Sequence, residues 1–146
     1  MKLKQLSVFL ENQPGRLTLP CDVLARAGIN ILTLSLADTE NFGILRLIVE
    51  EWEKAQKALT AAGMAVKTTE VVAIKVPDRP GGLAGILHTV EKGGINIDYM
   101  YAFTTRRGKD SILILRFDKV DDAIEILKKS GIGIVDRISL FRSVAD

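Results

Sequence analysis

The sequence is poor in cysteine and histidine and has no long apolar run. One cysteine excludes an internal disulfide and any metal site built from several cysteines, and a single histidine leaves no second imidazole ligand. No apolar run reaches the roughly 20 residues of a membrane-spanning helix, and the N-terminal residues contain no signal-peptide cleavage region. Because 20 basic residues nearly balance 18 acidic ones, no strong field for nucleic acid or anionic lipid is present. We expect a cytoplasmic protein with no metal or cofactor that binds neither nucleic acid nor membrane.

The most informative feature of the 146 residues is an internal repeat. NQPGRLTLPCDVLARAGINI (residues 12–31) and DRPGGLAGILHTVEKGGINI (residues 78–97) share a Pro-Gly pair, a leucine two residues later and a closing Gly-Ile-Asn-Ile. Pro14 and Pro80 lie 66 positions apart, whereas matching residues in the second half of each copy lie 68 apart. The copies therefore differ by one two-residue insertion, placed in a turn-like stretch.

Each copy has the same order of predicted elements. In the first copy, Leu6, Val8 and Leu10 alternate with their neighbours as in a half-buried strand. Apolar residues at helical spacing follow the Pro-Gly turn, and two strands then flank the turn of variable length. A second helix is predicted over residues 52–62, or 120–130 in the second copy, and a last strand follows it.

This order, β-α-β-β-α-β, is the split βαβ or ferredoxin-like arrangement. It predicts an α+β fold of two units, residues 1–69 and 70–146, each a four-stranded antiparallel sheet with both helices on one face. Residues 64–76 contain no proline, glycine or serine, so we expect no flexible linker between the units.

The Pro-Gly loop has the chemistry of a binding site for a free amino acid. It leads into a helix N-terminus, whose backbone N–H groups favour a carboxylate. Asn12 and Asp78 stand two residues before each proline, and Asn30 and Asn96 open the next strand. We expect these side chains to share one edge of the unit, where they would bind an ammonium group. Glycines in the loops let a ligand approach the backbone: Gly15, Gly81 and Gly82.

The motif Asp/Asn-x-Pro-Gly-x-Leu, followed about a dozen residues later by Gly-Ile-Asn-Ile, occurs twice in register and resembles that of tandem ACT domains. These small-molecule-sensing modules are attached to many amino-acid biosynthetic enzymes, and the resemblance covers essentially the whole chain. It implies that an amino acid binds where two units meet, between the first loop of one and the second strand of its neighbour. The implied ligand contacts are Asn12, Gln13, Gly15, Asn30, Asp78, Arg79, Gly81, Gly82 and Asn96.

The two copies differ at the loop. The second keeps the usual Asp78-Arg79, whereas the first has Asn12-Gln13 and carries Pro20 about one turn into its predicted helix. At the fifth or sixth helical position, a proline should free a carbonyl and bend the helix. We therefore expect the copies to differ in loop geometry and not to bind equally well.

An apolar sheet face is predicted in the second unit. Strand alternation places Tyr99, Tyr101 and Phe103 on the helix-free face, together with Ile112 and Ile114. Because exposure of such a face to water is unfavourable, we expect it to pack against the other copy's sheet or a second chain, as in a homodimer. The alternative, an RNA-recognition-like platform, carries its aromatic residues on the first and third strands, whereas these lie on the second.

The residues and the resemblance together predict a non-enzymatic amino-acid sensor that regulates a metabolic enzyme through a ligand-biased interface. The alternative is a regulatory or scaffold subunit that binds no ligand. In that case the Pro-Gly turns are only strand-to-helix connections, and Asn30 and Asn96 only cap strand starts. A third possibility, an acylphosphatase-like hydrolase, needs Arg and Asn acting on one phosphate, and the first loop is too sparsely charged for that role.

Overall fold

The computed structural model describes residues 1–38, 40–103 and 110–142. The basic residues Arg106, Arg107 and Lys109 of the predicted variable turn lie outside the described residues. In chain order the elements are β1 (Leu3–Glu11), α1 (Thr18–Arg26), β2 (Ile31–Asp38), β3 (Phe42–Val49), α2 (Trp52–Ala61), β4 (Ala65–Pro77), α3 (Gly82–Lys92), β5 (Ile97–Ala102), β6 (Asp110–Phe117), α4 (Val120–Lys129), β7 (Ile134–Val135) and α5 (Arg137–Arg142).

Residue contacts divide the chain into two units. One is Lys4–Thr69; the other begins at Glu70 and includes Met1–Leu3. The change from one unit to the next falls inside β4, which has no proline before its last residue and no glycine to end it. Each unit has the order β-α-β-β-α-β, which confirms the predicted ferredoxin-like α+β fold.

In the first unit, β3 pairs antiparallel with β1 on one side and with β2 on the other. Alternate residues of β1 and β3 face α1 and α2 because successive strand side chains point to opposite faces. The buried core between sheet and helices is Leu6, Val8, Leu10, Leu24, Ile29, Leu45, Leu47, Val49, Ala55 and Leu59. The predicted strand alternation in this copy thus corresponds to a real core.

In the second unit, the strand order is β7-β4-β6-β5, and every pair is antiparallel. The core between this sheet and helices α3 and α4 is Val72, Ile74, Val76, Ile86, Val90, Ile95, Leu115, Phe117, Ala123 and Leu127. Leu127 and the matching Leu59 of the first unit are both fully buried. The repeat in the sequence is therefore a repeat of core positions.

Pro20 changes how α1 begins. α1 starts at Thr18, two residues later than α3, whose first residue Gly82 aligns with Arg16. Leu17 already has helical φ and ψ of −72° and −34°, but Pro20 has no N–H to donate to the Arg16 carbonyl. Pro20 is thus the third helical residue rather than the fifth or sixth. It shortens the start of the helix and breaks no bond inside it.

The C-terminal end of the second unit differs from the prediction. β7 is only two residues long, and the short helix α5 follows it. The Asp136 side chain accepts a hydrogen bond from the Ser139 N–H at 2.7 Å. The backbone carbonyl of Asp136 accepts a second one from the Leu140 N–H at 2.9 Å. Asp136 therefore caps α5 and positions Leu140, which is fully buried.

The cap makes α5 sensitive to acid. The Ser139 N–H lowers the pKa of Asp136 from its ordinary value of 3.8, so the ionised carboxyl stabilises the folded state. That stabilisation is present above about pH 4 and is lost as the pH falls through the lowered folded-state pKa. In urea unfolding followed by circular dichroism, we expect the free energy of unfolding of the wild type to exceed that of Asp136→Asn by a constant margin at neutral pH. The margin should shrink below about pH 4; a margin that widens in acid would contradict the cap.

No described helix is both long and apolar enough to cross a membrane.

Candidate functional site

The first Pro-Gly loop is fastened to the turn between β2 and β3. The backbone N–H of Asn12 donates to the Asn41 carbonyl at 3.0 Å, and its side-chain Nδ2 donates to the Glu40 carbonyl at 3.4 Å. An ion pair of 3.4 Å joins Glu11, before the Pro-Gly pair, to Arg16, after it. The side-chain NH₂ group of Asn12 thus holds the loop in place. The adjacent predicted contacts Gln13 and Gly15 are exposed, and Gly15 has φ of +84°.

The second Pro-Gly loop is a tight turn onto the start of α3. Arg79 N–H donates to the Pro77 carbonyl at 2.9 Å, and Gly82 N–H donates to the Arg79 carbonyl at 3.0 Å. Gly81 has φ of +83°, which favours glycine. A Cβ on Gly82 would overlap the Pro77 carbonyl oxygen, so only glycine fits there without a shift of the backbone. Asp78 and Arg79 are exposed on this turn.

The loop and the strand asparagine of one unit lie at opposite ends of its sheet. In the second unit, Pro77 pairs with Asp110 at one end of β6, and Ile97 pairs with Phe117 at the other. Seven residue steps separate the two ends of β6, a distance of about 24 Å at about 3.4 Å per residue. The first unit has the same register from Glu11 to its partner Phe42 and from Ile31 to its partner Val49.

The prediction that Asn12 and Asn30, or Asp78 and Asn96, share one edge of a unit was therefore wrong. The helix between the two strands returns the chain across the sheet, so both strands run in the same direction, antiparallel to the strand between them. The end of one strand and the start of the next consequently lie far apart.

Asn96 has clear partners within its own unit. Its backbone N–H donates to Asp118 Oδ1 at 3.0 Å, and its side-chain Nδ2 donates to Asp98 Oδ1 at 3.2 Å. Asp118 N–H donates back to the Asn96 carbonyl at 3.1 Å. Asn96 therefore orders the start of β5, as the capping alternative requires. Asn30 occupies the matching, exposed position before β2.

The aromatic residues lie on the helix-free face of the second unit. Tyr99 pairs with Arg116 and Tyr101 with Ile114, in register positions that alternate with the core residues of β6. Phe103, Ile112 and Ile114 are 7%, 1% and 0% exposed, and the two tyrosines are half-buried. The three buried residues are therefore excluded from water within the single chain and need no second copy for that.

A cleft of about 420 Å³ opens beside the second Pro-Gly loop. It is bordered by the end of β4, the first half of α3, the start of β6 and the turn between α4 and β7, and it is open to solvent. The predicted residues Arg79, Gly81 and Gly82 line it, but Lys75 and Asp110 also do, and sequence reasoning missed these two. A comparison of the copies could have found them, because the first copy has phenylalanine at both matching positions.

The displaced pKa values belong to surface groups away from this cleft. The hydrogen bond that the Lys2 ammonium donates to Asp121, with further attraction from Glu70, raises the pKa of Lys2. Its Nζ lies 2.9 Å from the Asp121 carboxylate and 3.5 Å from that of Glu70. A hydrogen bond from Lys129 at 2.6 Å lowers the pKa of Glu125. Within residues 1–38, 40–103 and 110–142, no group of three or more His, Cys, Asp or Glu side chains could hold a metal ion.

Several known proteins resemble this chain. A crystal structure of a protein from Bacteroides thetaiotaomicron is 40% identical, covers 97% of this chain and 96% of its own, and superposes with a TM-score of 0.89. The regulatory subunit of aspartate kinase from Thermus thermophilus is 17% identical, with 86% and 91% covered and a TM-score of 0.61. Aspartate kinase from Synechocystis is 18% identical, with 92% and 27% covered and a TM-score of 0.57. No curated protein sequence matched.

The two aspartate kinase structures show a shared fold alone, whereas the family model also shows the family. The model of the ACT domain pair matches residues 1–142, which include both Pro-Gly loops and both cores. This confirms the predicted resemblance, and the chain belongs to the family of ACT domain pairs.

Proposed function

We propose that this chain is a non-enzymatic regulatory protein of the cytoplasm that binds a free amino acid. The observation that carries the proposal is the match of the ACT domain pair over residues 1–142. The fold is also that of a regulatory subunit of aspartate kinase, and the two chains match over 86% and 91% of their lengths. A chain of this size and fold can thus serve as a separate subunit that controls a metabolic enzyme.

In this proposal the amino acid is held where the Pro-Gly loop of one ACT unit meets the second strand of a unit in a second copy of the chain. The register supports such an arrangement because Asp78 and Asn96 of one unit are separated by about 24 Å. One amino acid cannot span that distance, so a second unit must supply one of the two contacts. A homodimer would satisfy this requirement.

The loop provides the ligand's carboxylate with a helix N-terminus, where the dipole and backbone N–H groups favour negative charge. Binding then stabilises the assembly state that holds both contacts in place. An enzyme that recognises this state responds to the amino acid, and the size of the response equals the difference in ligand affinity between the two states.

A second candidate function is a regulatory or scaffold subunit that binds no ligand. The hydrogen bonds of Asn12 to Glu40 and of Asn96 to Asp98 favour it, because two predicted ligand contacts already have partners within their own units. Such a subunit would act on its enzyme through protein contacts alone.

A thermal-shift screen against the standard amino acids separates these functions. A ligand at about 100 times its Kd adds about 2.7 kcal/mol to stability, which raises the Tm of a chain of this size by roughly 5–10 °C. We expect one or a few related amino acids to do this, and Asp78→Ala and Asn96→Ala to reduce the ligand-induced shift.

The matched control is Asp22→Ala, which removes an exposed carboxylate from the middle of α1, a residue that belongs to neither Pro-Gly loop. This variant should keep the full ligand-induced shift. If no amino acid raises the Tm of the wild-type protein, the scaffold function replaces the sensor.

A further inference from the structure

We propose that the cleft in the second unit is a binding site for an acidic amino acid, held by residues of that unit alone. This inference rests on the proposed amino-acid-binding function and names the ligand class and further contacts beside the same Pro-Gly loop, whose Arg79, Gly81 and Gly82 also line the cleft. It differs from the site between copies because it needs no second chain.

The charges of the cleft match an acidic amino acid. Lys75, Arg79 and Asp110 line it, and none of the three forms an ion pair or a side-chain hydrogen bond with another described residue. Two cations and one anion are the complement of aspartate or glutamate, which carries two carboxylates and one ammonium group. The N-terminus of α3 adds further partial positive charge at the same place.

The cleft is kept open by a glycine that packing does not require. Gly85 lies within α3 and lines the cleft, and a Cβ built on it would have no neighbouring atom within 4 Å. A glycine inside a helix destabilises it by about 1 kcal/mol relative to alanine. No close contact requires glycine at this position. Its missing side chain leaves space in the cleft that a ligand would occupy.

The first copy has large apolar residues at the matching positions. Phe9, Leu19 and Phe42 align with Lys75, Gly85 and Asp110, and the strand register is the same in both units. The three apolar side chains are 47%, 39% and 60% exposed. The second copy therefore replaces three large side chains by two opposite charges and a glycine, all around one cleft.

The shape of the sheet explains why a cleft exists here. β7 pairs with β4 only at Ala73 and Ile74, and the Gly133 carbonyl accepts the Lys75 N–H at 2.8 Å. Beyond Lys75 the edge of β4 leaves β7 and borders the cleft. Its volume of about 420 Å³ lies within the range of roughly 300–1,000 Å³ that is typical of small-molecule pockets.

Calorimetric titration of the full chain tests this site. We expect L-aspartate or L-glutamate to bind with at least about tenfold lower Kd than L-asparagine or L-glutamine, a difference of about 1.4 kcal/mol. Lys75→Gln and Asp110→Asn should each raise the Kd for the acid by about tenfold or more. Gly85→Leu introduces the first copy's residue and should abolish binding by filling the cleft.

The matched control is Ala84→Leu, which adds the same side chain at the preceding, exposed position of α3. Ala84→Leu should keep the wild-type Kd, and circular dichroism should show that both leucine variants are folded. Gly85→Ala provides a second test, since it should raise the Tm of the free protein and yet weaken binding.

The outcomes distinguish the cleft from the proposed function. If acidic amino acids bind but Gly85→Leu and Lys75→Gln leave the Kd unchanged, the cleft is not the site and the sensor function stands. The same conclusion follows if only neutral or basic amino acids bind. If no amino acid binds the wild-type chain, both the cleft and the sensor function are overturned.

Discussion

Replacement of Phe117 by alanine should lower the free energy of unfolding by about 3–5 kcal/mol. Phe117 is 0% exposed in the core of the second unit and is among the largest fully buried side chains of the described residues. Loss of its ring removes buried apolar surface and leaves a cavity that the antiparallel strands on either side of β6 can fill only in part. Urea or guanidinium unfolding followed by circular dichroism measures the loss.

The matched control is Phe42→Ala, which removes the same side chain from a position that is 60% exposed. We expect this change to cost about 0.5 kcal/mol or less. Equal losses for the two variants would show that Phe117 does not lie in a closed core.

Replacement of Gly82 by alanine should destabilise the chain by about 1–3 kcal/mol, the usual cost of overpacking. The new Cβ would overlap the Pro77 carbonyl oxygen and lie 3.1 Å from the Pro77 carbonyl carbon. These are backbone atoms, which cannot rotate away as a flexible side chain can. The second Pro-Gly loop must therefore shift relative to β4, and chemical denaturation should show a lower midpoint.

Gly85→Ala is the matched control for this prediction, since it makes the same change one turn later in α3. Its Cβ meets no atom within 4 Å, so the helix should gain about 0.5–1 kcal/mol. Opposite signs at the two positions are the expected result. A stabilising Gly82→Ala would mean that the loop does not pack against Pro77 as described.

The fold was predictable because the pattern of core residues occurs twice in the sequence. Leu59 and Leu127 occupy matching places in the sequence and are both fully buried, and the second helix of each unit begins and ends within one residue of the prediction. Hydrophobic periodicity is strong wherever an element has one face on a core, and the repeat removed most of the remaining ambiguity.

The prediction that the loop residue and the strand asparagine share one edge was wrong because spacing along the chain does not show direction in space. Asp78 and Asn96 are joined by one helix, and that helix carries the chain to the far end of the sheet. α5 was missed because its six residues are too few to show a helical period. The cleft depends on where β7 ends, which is decided by tertiary packing rather than by a local motif.

The most direct test of the sensor function is calorimetric titration of the unmodified chain with each standard amino acid at millimolar concentration. We expect saturable heat with one or a few related amino acids and no saturable heat with the others. The absence of saturable heat with every amino acid would contradict the sensor function and leave a scaffold subunit that acts through protein contacts alone.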